Sequence, residues 1–196
     1  MVRFHPRPLN DTVMVDNNAV IDAGIKKMEA IVYEHFISIL RDFCRDLFQS
    51  ADREYFAPSG KLVHKMTGNL FTSYSCGIYR DGELIELLHS ADMKSPPLRY
   101  KLVKGEIFPA GEMRYDGTEQ KKKFSAPVDT DGRFGQETSI MFLRNYTPAT
   151  KRGYEVVMCT GAEYSTFIEQ ERNLNVLTNT FLEAKALFYR NLKPIK

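Results

Sequence analysis

The chain has 196 residues, 43% of them hydrophobic, which is enough to bury a core without metals or crosslinks. Its 27 basic and 25 acidic residues nearly cancel to a formal charge of +2, so charge does not indicate nucleic acid or an anionic membrane as the main partner. Three cysteines without a C-x-x-C pair, Cys44, Cys76 and Cys159, favour buried reduced thiols in an intracellular setting. No signal peptide and no apolar run of about 18 residues is present, which predicts a soluble protein without a membrane partner.

The N-terminal part of the chain predicts an extended arm followed by a long helix. Residues 1–16 contain proline and asparagine with weak periodicity, so they predict an arm that lies on a neighbour in an assembly. After the cap candidates Asp16, Asn17 and Asn18, apolar residues recur in steps of three and four as far as a predicted end near Ser50. This stripe comprises Ile21, Ile25, Met28, Val32, Phe36, Ile39, Phe43 and Leu47. A second set of apolar residues widens this stripe: Tyr33, Ile37, Leu40, Cys44 and Phe48. A stripe of this width indicates a helix that touches another subunit or one that lies deep in its own core.

The middle and C-terminal parts predict a small antiparallel sheet and two helices. Thr67 is placed to cap a brief helix, and Asp81-Gly82 predicts the turn of a β-hairpin. Residues 139–143 and 154–159 predict two further strands. Residues 162–169 predict a short helix and residues 176–188 a terminal amphipathic helix.

Between these elements, residues 92–138 hold five of the twelve glycines and four of the nine prolines. This composition predicts a long loop insertion with a functional role. The predicted fold is therefore α+β, with the long N-terminal helix and the C-terminal helix packed on the sheet. We expect one domain over residues 17–192 and a short tail at 193–196.

Motifs for catalysis and for metal or cofactor binding are lacking. No phosphate-binding loop or dinucleotide fingerprint occurs, and Asp129-Thr-Asp-Gly132 lacks carboxylates at the first and last positions of a calcium loop. The four histidines do not have metal-ligand spacing: His5, His35, His64 and His89. We therefore expect no cofactor and no enzyme. A small hydrolase stays an alternative, and it requires a cleft that joins a histidine to Ser73, Ser165, Cys76 or Cys159.

Two charged clusters have ordinary and functional interpretations. Glu163, Glu169 and Glu171 are able to serve as acid and base in a cleft, but they also fit the solvated face or first turn of a helix. The triplet Lys121, Lys122 and Lys123, with Phe124 beside it and Tyr115 nearby, is able to lie along phosphates while the aromatic rings stack on bases. Four acidic residues dilute that patch: Glu106, Glu112, Asp116 and Glu119. A DNA-binding accessory module is thus a second alternative.

Two blocks of the sequence resemble a known family. The segment from Thr67 through Gly68 and Leu70 to Ser73 resembles the "T-G-x-L-x-x-S" opening of the phage tail-completion, or head-to-tail joining, proteins. The segment from Gly161 through Tyr164 to Glu169 is similar to that family's "Y-A-x-x-x-E-x-G" block, although Ser165 replaces the usual alanine and the final glycine is absent. The order of the flanking helices also agrees with the family.

This resemblance implies a structural virion protein, assembled in the bacterial host cytoplasm and located in the neck or tail. It implies a homo-oligomeric ring of six or twelve copies that contacts portal, adaptor or tail proteins, with only passing contact with DNA. The motif residues act as scaffold. The residues expected to contact a subunit or partner lie in the hairpin and in the insertion: Tyr79, Arg80, Asp81, Gly82, Lys121, Lys122 and Lys123.

Overall fold

The computed structural model describes residues 11–56, 67–98, 107–108, 110–125, 134–162, 164–171 and 175–195. Its α-helices are α1 (Asp11–Arg53), α2 (Gly135–Asn145), α3 (Ser165–Glu171) and α4 (Val176–Asn191), with a 3-10 helix at Ser90–Met93. The strands are β1 (Tyr74–Arg80), β2 (Glu83–His89), β3 (Ile107–Phe108), β4 (Phe124–Ser125) and β5 (Tyr154–Thr160). The predicted α+β class is confirmed, and the N- and C-terminal helices pack on the sheet.

The long N-terminal helix starts earlier than predicted. It begins at Asp11 and ends at Arg53, so the predicted extended arm is wrong for residues 11–16, while residues 1–10 of that arm lie outside the described residues. Asp16, Asn17 and Asn18 favour helix caps, but each costs only a fraction of a kcal/mol inside a helix. A helix that is already propagating therefore continues through them.

Strand β1 is the centre of a three-stranded antiparallel sheet with the order β2-β1-β5. The predicted hairpin and the strand at 154–159 are confirmed. Asp81 and Gly82 adopt φ values of 53° and 89°, the left-handed conformation that a tight hairpin turn requires. Six of the seven residues of β1 are buried, because helices cover both of its faces.

One face of β1 packs on the C-terminal part of α1, and α4 packs on the same part of α1. The thiols of Cys44 in α1 and Cys76 in β1 are both fully buried and interact with each other. The rings of Phe43 and Phe188 meet edge to face at 5.5 Å between centroids. Apolar burial and this aromatic contact hold α4 against α1.

Helix α2 packs on the opposite face of the sheet, and it includes residues for which a strand was predicted. Residues 139–143 are helical, and so are residues 135–138, which were assigned to the insertion. Gly135, Ser139 and Leu143 are the buried residues of α2, and they recur every four positions on one side of the helix. The apolar run that indicated a strand is not buried as a unit, since Met141 and Phe142 are exposed.

Part of the predicted insertion forms a small ribbon. Strands β3 and β4 pair antiparallel, and an isolated bridge joins Met113 to Glu119 around a turn at Gly117. The ring of Tyr115 packs against Phe71 at 6.0 Å, and its hydroxyl donates to the carbonyl oxygen of Ser95 at 2.7 Å. The ribbon is thereby anchored to the segment that precedes β1.

The chain divides into two compact units, Leu40–Leu192 and Met1–Ile39 with Lys193–Lys196. The division falls inside the domain that was predicted over residues 17–192. The first unit contains the sheet, helices α2, α3 and α4, and the C-terminal part of α1. In the second unit, the backbone carbonyl of Lys193 lies 2.9 Å from Nε2 of His35. The predicted tail therefore contacts the N-terminal part of α1.

Candidate functional site at the two sequence motifs

The first motif block is a series of hydrogen-bonded turns that leads into β1, not the brief helix that was predicted. The hydroxyl of Thr67 accepts from the backbone N–H of Asn69 at 3.2 Å, as a cap does. Gly68 has a φ of 77°, and a side chain there would collide with the ring of Tyr115. Leu70 is 3% exposed and anchors the turns in the core. The block therefore shapes the backbone and packs the core.

The side chain of Asn69 links this block to helix α2. Its Oδ1 accepts from the backbone N–H of Gly135 at 2.8 Å, and the residue is buried. A donor at a helix N-terminus needs such an acceptor, so Asn69 is a remote N-cap for α2. We did not predict this residue as functional, because its partner lies 66 positions further along the chain.

The end of β5, just before the second block, meets the first block through two side-chain hydroxyls. The hydroxyls of Ser73 and Thr160 share a hydrogen bond of 2.5 Å. A Cβ on Gly161 would collide with the carbonyl oxygen of Gly135 and the backbone nitrogen of Ser139. Gly161 thus permits α2 to lie in direct backbone contact with the chain after β5.

Tyr164 and Glu169, the two residues of the second block that match the family's pattern, lie near a buried tyrosine pair. The hydroxyls of Tyr55 and Tyr74 are 2.5 Å apart, and burial raises the pKa of both, with smaller contributions from Tyr164 and Glu169. The carboxylate of Glu169 accepts from the backbone N–H of Leu177 at 2.9 Å, at the start of α4. Glu169 therefore caps α4, which agrees with the helix-terminus interpretation of this glutamate.

An ion pair reinforces the same region. Nζ of Lys94 lies 2.5 Å from Oδ1 of Asp52 and 2.7 Å from the carbonyl oxygen of Phe71, and it stands over the Phe71 ring. Burial raises the pKa of Asp52 and lowers that of Lys94, and their mutual attraction opposes both shifts. The pair joins the end of α1 to the segment after the 3-10 helix.

A serine and a histidine come together under helix α2, but inside the core. Oγ of Ser75 lies 3.2 Å from Nδ1 of His89 and 2.7 Å from Oγ of Ser139, and both serines are fully buried. Burial lowers the pKa of His89, an effect that Asp92 opposes and Arg144 reinforces. The hydroxyls connect α2 to β1, and neither of them has surface that a substrate is able to reach.

The serines and cysteines expected in a hydrolase do not join a histidine in the described residues. Ser73 bonds to Leu70 and Thr160, and Ser165 lines a shallow surface depression with Glu169 and Asn175. Burial raises the pKa of Cys76 well above its usual value and that of Cys159 to about 12. These thiols are therefore protonated near neutral pH and are poor nucleophiles. His5 and His64 lie outside the described residues.

Comparison of the chain with family models, with curated proteins and with solved structures finds no match. No helix in the described ranges is long and apolar enough to cross a membrane. Within those same ranges, no three His, Cys, Asp or Glu side chains are grouped as metal ligands.

The predicted contact residues of the hairpin have different environments. Tyr79 is 1% exposed, and its hydroxyl donates to the carbonyl oxygen of Leu143 at 2.6 Å, so its prediction as a surface contact is wrong. Gly77 explains this burial, because its missing side chain leaves room for the Tyr79 ring. Asp81 accepts from the backbone N–H of Gly153 at 2.8 Å and connects the hairpin turn to the turn before β5.

Arg80 and the lysine triplet remain on the surface. Arg80 is exposed and lies 5.8 Å from the ring centroid of Tyr154. Lys121, Lys122 and Lys123 are all exposed next to the ribbon. Tyr115, which was considered as a stacking partner for bases, has its ring edge on Phe71 and above Gly68, so it is engaged within the protein. The structure brings the motif residues together but does not place the triplet among them.

Proposed function

We propose that this protein is a structural subunit of an oligomeric ring in the head-to-tail connector or tail-completion complex of a tailed bacteriophage. The ring has six or twelve copies, and it contacts portal, adaptor or tail proteins in the neck of the virion. The observation that carries the proposal is the direct packing of the first motif block on the end of β5, through Ser73 and Thr160. Together with the resemblance of both blocks, this packing supports a scaffold role.

The roles of the motif residues support a scaffold and not a reaction centre. Gly68 admits a ring, Leu70 fills the core, Ser73 bonds to Thr160 and Glu169 caps a helix. Each of these contacts fixes the position of one element against another. A subunit of a ring must keep its shape while its surfaces bear contacts, and rigid elements joined in this way meet that need.

Electron microscopy of the purified protein tests this proposal. We expect closed rings for the protein alone, or after it is mixed with portal and tail components from the same particle. Native mass spectrometry of the same sample counts the copies and distinguishes six from twelve. A protein that stays monomeric in both samples, at concentrations up to about 100 μM, excludes the ring.

DNA contact is the second candidate, because the side chains of Lys121, Lys122 and Lys123 are all exposed. Fluorescence anisotropy with duplex DNA at several salt concentrations tests it. If the triplet neutralises three phosphates, log K falls with log salt with a slope of about −3, and the triple substitution to glutamine abolishes this dependence. Affinity that is independent of salt, or equal in the variant, rejects this function and leaves the ring unaffected.

A further inference from the structure

The apolar stripe of α1 is covered in its C-terminal part and uncovered in its N-terminal part. In the C-terminal part, Phe43 meets Phe188 of α4, and Asp46 accepts from the amide of Asn191. Helix α4 has 16 residues and α1 has 43, so their lengths are about 24 Å and 65 Å. The uncovered residues are 44–70% exposed, and we name them the α1 seam: Val20, Ile21, Ile25, Met28, Ile31 and Val32.

The spacing within the α1 seam indicates a helix as its occupant. Ile21, Ile25, Met28 and Val32 follow one another in steps of four, three and four. A repeat of 3.5 residues is typical of helices that pack along each other at a shallow angle. The covered part of the stripe is itself occupied by a helix, α4. The seam therefore fits a second helix and not a small ligand.

Gly24 lies within the α1 seam and supports close contact with another helix. A glycine inside a helix is destabilising relative to alanine. Within the described residues no atom outside the surrounding helix backbone lies within 4 Å of the position that a Cβ would take, so packing inside this chain does not require the glycine. The backbone of a partner helix approaches most closely at such a position.

Helix α4 carries a second uncovered apolar face. Phe181, Leu182 and Tyr189 are 79%, 73% and 60% exposed, on the side of α4 opposite its buried residues. Lys185 is exposed on the same side. We name these four residues the α4 outer face. One chain thus has two different apolar helical surfaces.

We infer that the α1 seam of one copy packs on the α4 outer face of the next copy, and that this contact joins the subunits of the ring. The inference rests on the proposed function, since a ring requires two different surfaces that meet head to tail. Contact between two seams would instead close as a dimer and leave the α4 outer face uncovered. A single contact between seam and outer face covers both.

Charge favours the same pairing, and the buried area is sufficient for it. The edge of the seam beside Ile25 holds Asp22 and Glu29, and the α4 outer face holds Lys185, so opposite charges meet across the contact. Two seams packed antiparallel would bring the acidic edges together. If each of the ten exposed residues of the two surfaces buries roughly 100 Å², the contact buries about 1,000 Å² in total, near the lower limit for a specific interface.

Two double variants test the pairing by complementation. I25E/M28E places charges in the seam, and F181E/L182E places them in the outer face. A23E/A30E is the matched control, because both alanines are exposed on the opposite side of the same helix. All substituted residues are exposed, so we expect circular dichroism and the melting temperature to stay near those of the wild type.

Sedimentation velocity and native mass spectrometry give the readout. We expect the wild type and A23E/A30E to form rings, and each of the other two variants to be monomeric, with affinity lowered about 100-fold. An equimolar mixture of the two monomeric variants has one intact surface of each kind. It should form a heterodimer and stop there.

The other outcomes overturn the inference in separate ways. If F181E/L182E still assembles while I25E/M28E does not, the seam binds something other than the α4 outer face. If both still form rings, the ring exists but uses other surfaces, and the proposed function survives. If the wild type forms no ring under any condition, including with its neck partners, the proposed function fails as well.

Discussion

The side-chain oxygen of Asn69 lies 2.8 Å from the backbone N–H of Gly135, across 66 residues of sequence. Through this bond, a turn in the first motif block caps the N-terminus of α2. The bond also favours the packing of that turn against the helix, because a buried N–H without an acceptor costs free energy. The motif therefore acts on a helix that is remote in sequence.

Replacement of Asn69 by alanine removes this cap. We expect the free energy of unfolding to fall by about 1 to 2 kcal/mol, the usual cost of losing a helix cap. Chemical denaturation followed by circular dichroism measures the change. Asn69→Asp keeps an acceptor and adds a charge that a helix N-terminus favours, so it should retain most of the stability. Equal losses in both variants would show that the cap is not the cause.

Replacement of Gly161 by alanine places a Cβ against the backbone of Gly135 and Ser139. Backbone atoms do not move aside as the end of a flexible side chain does, so we expect a loss of about 3 kcal/mol. Thermal denaturation measures it. A loss below about 1 kcal/mol would show that α2 and the end of β5 do not approach as described.

Replacement of Gly24 by alanine is the matched control for the Gly161 variant. It also separates an effect on folding from an effect on assembly. The new methyl group meets nothing within 4 Å in the described chain, so helix propensity should raise stability by about 0.5 to 1 kcal/mol. If Gly24 admits a partner helix, the same variant should assemble less tightly than the wild type. Sedimentation at several protein concentrations detects this opposite pair of effects. A stabilised variant with unchanged assembly would contradict the role of Gly24 in the contact.

The main elements were predictable because their signals are local. The stripe of α1 repeats over many turns, and Asp81-Gly82 has the conformation that only a few residue types adopt readily. Helix α2 was predicted as a strand because Ile140 to Leu143 is a continuous apolar run. Only its last residue is buried there. The small residues that α2 uses for packing, Gly135 and Ser139, give no apolar period.

The site was less predictable than the fold. Asn69 and Thr160 act through partners that lie 66 and 87 positions away, and a single sequence carries no signal for such pairs. Tyr79 was expected on the surface because it precedes the hairpin turn. Its burial depends on the space above Gly77 and on an acceptor at the end of α2. Both features exist only once the chain has folded.

Stability should fall in mild acid through His89. Burial lowers the pKa of this histidine below its ordinary value of 6.5, so the unfolded chain binds the proton more readily than the folded chain. Its contribution to stability is complete above pH 6.5 and is lost as the pH falls from there toward the lowered pKa. His89→Asn cannot titrate in this range, so its melting temperature should change less between pH 7 and pH 5.

A second variant keeps the test of His89 specific. Arg144 helps to lower the pKa of this histidine, so Arg144→Gln should reduce the acid sensitivity without removing the imidazole. Arg144 is exposed, and its replacement should change stability at pH 7 by less than about 0.5 kcal/mol. If wild type and both variants lose stability in parallel between pH 7 and pH 5, another group causes the loss.

A charge exchange across the proposed contact tests its register. Glu29 lies at the edge of the α1 seam and Lys185 within the α4 outer face. Exposed pairs contribute about 0.2 to 1 kcal/mol, so Glu29→Lys or Lys185→Glu alone should weaken each contact roughly two- to fivefold. The double variant restores the opposite charges and should assemble nearly as the wild type does. Sedimentation at low salt gives the largest difference, because salt screens exposed charges. If the double variant loses as much affinity as the two single variants together, these two side chains do not meet in the ring.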